Sequence, residues 1–150
     1  MKKFVIVSAT WFGTGFAPFA SGTVGTAGAI PFFLLLSRMP LSLYLLTTVA
    51  FTVFACWAAG FGEELWGEHD SGKIVIDEVA GYLVTMIAVP ATWVGVLTGF
   101  VMFRIFDIVK PQPARWFDRS LKNGYGVVMD DIAAGIYACA ATHLILRFLP

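Results

Sequence analysis

The stretch VAGYLVTMIAVPATWVGVLTGFVMF, residues 79–103, carries no charge over 25 positions and has one proline, Pro90, near its middle. Its reading decides the fold. As a single helix it would run about 37 Å, at 1.5 Å per residue, and would set the polar segments before and after it on opposite faces of a bilayer. Broken at VPAT, residues 89–92, it becomes two short helices whose polar ends return to the same face. Proline costs a helix interior about 3 kcal/mol, although membrane helices tolerate it. The hairpin is the preferred reading because it lets charged residues on the two sides meet.

Working outward, the same avoidance of charge recurs. The chain of 150 residues is 58% hydrophobic and only 13% charged, against about 25% charged in soluble domains, which makes the bilayer its main solvent. Residues 39–62 carry no charge, and 41–61 meet the length of about 20 residues that a spanning helix needs. Residues 16–36 are also uncharged but begin with Gly, Ser, Thr and Pro; a loop is expected there until about Thr26, then a helix to Leu36 and a turn over 37–40. Residues 132–146 form the last apolar segment. The expected fold is all-α: a small polytopic membrane helical bundle with short broken or re-entrant helices, in one domain over residues 1–150. Lys2 and Lys3 before an apolar run resemble a signal peptide, but GTG interrupts the run, and a retained, interfacial N-terminus is expected. The formal net charge is zero with no basic block, so nucleic-acid binding has no support.

Charges gather between the apolar segments. In FRIFDIVKPQP, residues 103–113, Arg104, Asp107 and Lys110 are three apart and share one helical stripe. Pro111 ends the helix near Lys110. The modest interpretation is an Arg104–Asp107 salt bridge with a snorkelling Lys110. KNGYGVVMDDIAAG, residues 122–135, sets Asp130 and Asp131 side by side at the expected start of the last helix, after a sharp turn at Gly124 and Gly126. HDSGKIVIDEVAG, residues 69–81, opens another helix with Asp77 and Glu78. Capping and helix-dipole pairing account for one carboxylate at each place. Adjacent pairs beside membrane segments are costly and point to function. Converging carboxylates suit a hard divalent cation, which takes oxygen ligands together with a substrate phosphate, and Arg104 and Lys110 would balance that phosphate. GTGFAPFASGTVGT, residues 13–26, supplies small residues ahead of a helix, where backbone N–H groups can cradle an anion.

PFASGTVGT, KIVIDEVAGY, FRIFDIVKPQP and GVVMDDIAAGIYA, in this order, resemble the phosphatidylglycerophosphatase A family over residues 13–138. The resemblance implies a small helical membrane enzyme that needs Mg²⁺ and removes the terminal phosphate of phosphatidylglycerophosphate to give phosphatidylglycerol. It implies a bacterial inner (cytoplasmic) membrane location, multi-pass, with the active site facing the cytoplasm. By position it places the catalytic acids at Asp77, Glu78, Asp107, Asp130 and Asp131 and the phosphate-binding residues at Arg104, Lys110, Gly22, Thr23 and Gly25; of the acids, Glu78, Asp107, Asp130 and Asp131 are assigned as metal ligands, direct or through water. Asp77 is left as a general base or as a group behind the ligands. Ser21 stands where the family often has Pro, and Thr26 where it often has Ser.

Other phosphatase chemistries lack their residues. Neither Cys56 nor Cys139 has an arginine six residues on, and both read as buried thiols. No PSGH block, no D-x-D-x-T block and no D-G-x-x-A-R signature occurs. His143 reads as a packed side chain and His69 as peripheral. In PARWFDRSLKN, residues 113–123, Trp116 and Phe117 suit a membrane interface and Arg115, Arg119 and Lys122 lipid headgroups. Two competing readings come from other classes: a small cation or metabolite transporter using the clustered carboxylates, and a structural membrane subunit whose charges pair across helices.

Overall fold

A computed structural model describes residues 2–121 and 123–148, without the side chains of residues 118 and 119. About 75% of it is helical, and there is no strand among the described residues. The helices are α1 (Lys2–Ala9), α2 (Ser21–Leu36), α3 (Leu41–Trp66), α4 (Ile76–Thr85), α5 (Trp93–Val109), α6 (Ala114–Ser120) and α7 (Gly124–Leu146), with a 3₁₀ turn at Thr14–Phe16.

The decisive stretch is a hairpin. Helix α4 stops at Thr85, five residues before the proline. Ala88 takes a positive φ of 57°, and Pro90, which lacks an N–H, excludes a helical path into it. Helix α5 restarts where the Thr92 side chain accepts the N–H of Gly95 at 3.1 Å. It ends at Lys110, whose φ of 45° turns the chain out ahead of Pro111. Because α4 and α5 run in opposite directions, Glu78 at the start of one comes within 4.0 Å of Arg104 near the end of the other.

Helix α4 is the hub, with eight of its ten residues buried. Tyr82, Leu83 and Met86 pack with Phe33 of α2, Phe103 of α5 and Ala134 and Ala138 of α7. Its other side carries Ile76 and Ala80 against Ala55 and Ala59 of α3 and Val128 of α7. Helices α4 and α7 cross closely because each presents a glycine there. A Cβ on Gly81 would lie 2.7 Å from the carbonyl oxygen of Asp131, and one on Gly135 would lie 2.5 Å from that of Gly81. The Thr85 hydroxyl spans the crossing, 3.0 Å from the carbonyl oxygen of Gly81 and 3.4 Å from that of Gly135.

Two boundaries differ from expectation. Helix α2 begins at Ser21, not near Thr26. Glycine costs a helix up to about 1 kcal/mol, but Gly25 packs against Val75, where a side chain would collide; burial outweighs propensity. Helix α7 begins at Gly124, capped by the Asn123 side chain, which accepts the N–H groups of Tyr125 and Gly126. Gly124 and Gly126 are therefore helical, and Asp130 and Asp131 lie about two turns inside α7 rather than at its tip.

Helices α3 and α7 are long and apolar enough to cross a membrane. Only 28% of the apolar window of α3 is buried, whereas a soluble core helix would be mostly covered. Leu43, Leu46, Val49 and Val53 of α3, and Val94, Leu97, Val101 and Ile105 of α5, form exposed apolar stripes. The lipid-like exterior and the polar gathering described next are segregated within one bundle.

Candidate active site

The close crossing of α4 and α7 brings acids together. Asp77 and Glu78 occupy the first turn of α4, and Asp131 faces them from α7. Carboxylate oxygens of the three all lie within 4.8 Å of one another. Both helices carry the same local pattern, an aspartate four residues before the contact glycine: DEVAG at residues 77–81 and DIAAG at 131–135. One helical turn separates acid from glycine in each case, so the glycine crossing fixes the separation of the acids. This repeated D-x-x-x-G was the signal in the sequence that singles out Asp77 as a partner of Asp131; reading acids as helix tips passed over it.

Cations ring the cluster. Arg104 lies 2.6 Å from Asp107, one turn further along α5, and 4.0 Å from Glu78. Asp107 is also a hydrogen-bonding neighbour of Asp131. The Lys110 ammonium donates to Asp130 Oδ2 at 2.5 Å, while Asp130 Oδ1 accepts the N–H of Asp131 at 3.0 Å. The modest reading of FRIFDIVKPQP is thus met for Arg104 and Asp107, but Lys110 turns to a second helix. All five predicted acids and both predicted bases stand at one end of the bundle. They divide into a trio of Asp77, Glu78 and Asp131, an Arg104–Asp107 pair and a Lys110–Asp130 pair.

The start of α2 covers this group. A Cβ on Gly22 would collide with Glu78 Oε1 and stand 3.1 Å and 3.2 Å from the two terminal nitrogens of Arg104, so a larger residue there would displace the cluster. Ala20, with φ 47°, leaves the helix without a side-chain cap. First-turn N–H groups, which have no intrahelical acceptor, face the same end, and Thr23 is half-buried beside them. The Ser21 hydroxyl donates to the Gly72 carbonyl at 2.6 Å and ties α2 to the segment between α3 and α4. Gly25, by contrast, serves packing against Val75.

The electrostatics are unbalanced. Among the described residues, the five carboxylates are set against Arg104 and Lys110, an excess of acids over bases. Asp77 and Glu78 precede the uncharged segment. Burial, then the Glu78 charge, pushes the Asp77 carboxyl well above the ordinary range. Burial pushes Glu78 up to about 8 against the opposing hydrogen bond from Asp77. Asp77 Oδ1, Glu78 Oε2, Asp131 Oδ2 and Arg104 Nε are buried and have no hydrogen-bond partner among the described residues. Buried polar atoms are normally satisfied. Converging unpaired carboxylate oxygens fit a hard cation, and the unpaired guanidinium edge beside them fits an anion.

Other candidates fall elsewhere. His69, in the segment between α3 and α4, contacts Glu63 near the end of α3. His143 lies 2.9 Å from the Ile87 carbonyl at the far end of the bundle, a packed side chain as expected. Cys56 is buried, Cys139 is partly buried, and both are free thiols. Of the interfacial stretch, Trp116 is exposed on α6, Arg115 reaches back to the Val109 carbonyl, and Lys122 and the Arg119 side chain lie outside the described residues.

The sequence model of phosphatidylglycerophosphatase A matches residues 7–146. The chain belongs to the phosphatidylglycerophosphatase A family. A phosphatidylglycerophosphatase A of Escherichia coli is 39% identical over 143 residues, covering 95% of this chain and 83% of the relative. One from Haemophilus influenzae is 39% identical over 132 residues, 87% of this chain and 81% of the relative. A Bacteroides thetaiotaomicron protein whose provisional name is phosphatidylinositol-3-phosphatase is 41% identical over 142 residues, 89% of this chain and 87% of the relative. No solved structure matches the chain. The acidic trio, Arg104 and the start of α2 all lie inside the span matched by the phosphatidylglycerophosphatase A family.

Proposed function

We propose that this chain is a Mg²⁺-dependent lipid phosphatase that hydrolyses phosphatidylglycerophosphate to phosphatidylglycerol and phosphate in phospholipid biosynthesis. The observation that carries the reading is the meeting of Asp77, Glu78 and Asp131 beside Arg104 and Gly22, in a chain of this family. Metal, phosphate and lipid then share one end of an apolar bundle.

Asp77, Glu78 and Asp131 would hold the cation, with Asp107 next to Asp131 and Asp130 fixed by Lys110. Bound there, Mg²⁺ supplies charge neutralisation of phosphoryl oxygens and a lowered pKa of bound water. Arg104 presents a planar guanidinium whose geometry suits two phosphoryl oxygens, and Asp107 sets its orientation. First-turn N–H groups of α2, around Gly22 and Thr23, add neutral donors for the same anion. Lys110 holds the Asp130 carboxylate in place, which positions the Asp131 backbone. Developing negative charge on the phosphoryl group thus meets fixed donors in a site shielded from water, where such donors act most strongly.

The enzyme would be multi-pass in a bacterial cytoplasmic membrane, its site facing the cytoplasm. The test is phosphate release by purified protein in detergent from phosphatidylglycerophosphate and, separately, phosphatidylinositol 3-phosphate, with Mg²⁺ or with EDTA. Mg²⁺-dependent release with a higher kcat/KM for phosphatidylglycerophosphate is expected. Preference for the inositol lipid would reassign the substrate. No metal-dependent release from either would favour the cation-transport reading.

A further inference from the structure

The first turn of α2 stands over the acid cluster, yet its own sequence does little to hold it there. Ala20, just ahead of it, gives no side-chain cap, and Gly22 and Gly25 are poor helix formers. Gly22 must nevertheless stay beside Glu78 and Arg104, where a Cβ would stand 3.1 Å and 3.2 Å from the two terminal guanidinium nitrogens. Among the described residues, one hydrogen bond joins this turn to another segment: the Ser21 hydroxyl donates to the Gly72 carbonyl, 51 positions along the chain. Gly72 is itself held from both sides. Before it, one carboxylate oxygen of Glu63 accepts the N–H of Asp70 at 3.1 Å and also contacts His69. Asp70 takes a φ of 50°, a left-handed conformation that residues with a side chain seldom adopt, and the bond to its N–H fixes it. After it, the Ile74 N–H returns to the Ser71 carbonyl at 2.7 Å, and the Val75 N–H reaches the Ala9 carbonyl at 2.9 Å. The Lys73 carbonyl lies so close to Gly15 that a side chain there would collide.

We propose that residues 67–75 clasp the first turn of α2 over the bound phosphate, with Ser21 and Glu63 as positioning residues at the two fastenings. The inference rests on the phosphatase reading, which sets phosphate between Arg104 and that turn. Ser21 acts through the N–H groups of Gly22 and Thr23, which have no intrahelical acceptor. Glu63 acts through Asp70, two residues before Gly72. When the clasp loosens, the turn leaves Arg104 and the anion loses donors. The acids ride on α4, α5 and α7, so the cation keeps its ligands. Phosphate affinity and cation affinity then part.

The test titrates full-length protein in detergent with inorganic phosphate at saturating Mg²⁺, and metal-free protein with Mg²⁺ alone. Ser21→Ala raises the phosphate Kd several-fold, up to about tenfold, the reach of one net hydrogen bond, and leaves the Mg²⁺ Kd unchanged. Ser21→Thr, which keeps the hydroxyl, restores phosphate affinity. Ser37→Ala removes a hydroxyl-to-carbonyl bond of 2.9 Å at the other end of α2 and changes neither constant. Glu63→Ala tests the sign. Loss of a carboxylate would by charge alone tighten binding of an anion, whereas a loosened clasp weakens it, and weakening is expected. Added to Ser21→Ala it should cost little more, because both side chains fasten one clasp. An unchanged or tighter phosphate Kd in either alanine variant, a parallel loss of Mg²⁺ affinity, or no phosphate binding by the unaltered protein overturns the proposal. Phosphate release from phosphatidylglycerophosphate by the same preparations separates the two readings. The expected shifts in Kd without any release support the clasp as an anion-holding device and reject the phosphatase reading. Normal release with an unchanged Kd in Ser21→Ala rejects the clasp alone.

Discussion

Asp131→Asn removes one charge from the trio without changing the size of the side chain. Turnover should fall by about 100-fold or more, the upper range for disturbing a metal site, with thermal stability in detergent retained. Near-normal phosphate release by the folded variant would take Asp131 out of the chemistry. Lys110 offers a contrasting case, because it is paired with buried Asp130. Lys110→Met leaves that carboxylate without its ammonium, which costs about 1–3 kcal/mol once partial exposure of the lysine is allowed for. The double variant with Asp130→Asn should regain most of the stability, as a double-mutant cycle would measure. Titration supplies a further residue-scale prediction. The carboxyls of Asp77 and Glu78 are raised in the folded protein, so the folded state holds protons that the unfolded state releases. Metal-free protein should therefore lose thermal stability as pH rises from the ordinary carboxylate range towards 8, the value reached by Glu78. Saturating Mg²⁺ should abolish that slope. An unchanged slope would mean that the cation does not bind these groups.

The α4–α7 crossing is the element-scale determinant of the site. Gly81→Ala sets a methyl 2.6 Å from the Phe103 ring and 2.7 Å from the Asp131 carbonyl. Overpacking of this kind costs about 1–3 kcal/mol. Activity should drop further than the stability loss accounts for, because the displaced segment carries Asp131; purified variant protein assayed below its melting range separates the two effects. The same crossing explains what the sequence concealed. The uncharged run, Pro90 and the need for the flanking charges to meet were enough to expect two short helices over residues 79–103. They were not enough to place the start of α7, since Gly124 and Gly126 look like turn residues until α3 and the Asn123 cap are beside them. GTVGT in α2 misled in the same way: weak local propensity was overruled by contact with Val75 and Glu78.

At the scale of the whole molecule, the polar residues concentrate at one end while apolar stripes cover the flanks of α3 and α5. If that end faces the cytoplasm, a membrane-impermeant maleimide should label Asp70→Cys only after the cytoplasmic face is opened. Ala91→Cys, at the opposite turn between α4 and α5, should label from outside, both in a background lacking Cys56 and Cys139. Labelling of both positions from one side would contradict a bundle that spans with its hairpin ends apart. Chelation tests the cluster as a unit: EDTA should remove activity, and added Mg²⁺ should restore it without refolding.

Composition alone determined the class of solvent, because a chain with so few charges over such long runs cannot bury its apolar surface in water. Sequence also singled out the residues proposed to carry the chemistry, since acids and bases beside membrane segments are costly. Only the tertiary structure decided how those residues combine. Asp77 joins Asp131 because Gly81 and Gly135 allow two backbones into contact, and Lys110 turns to Asp130 because α5 ends beside α7. Each is a distance between segments far apart in the chain, and distances of that kind are fixed by packing, which no local pattern contains.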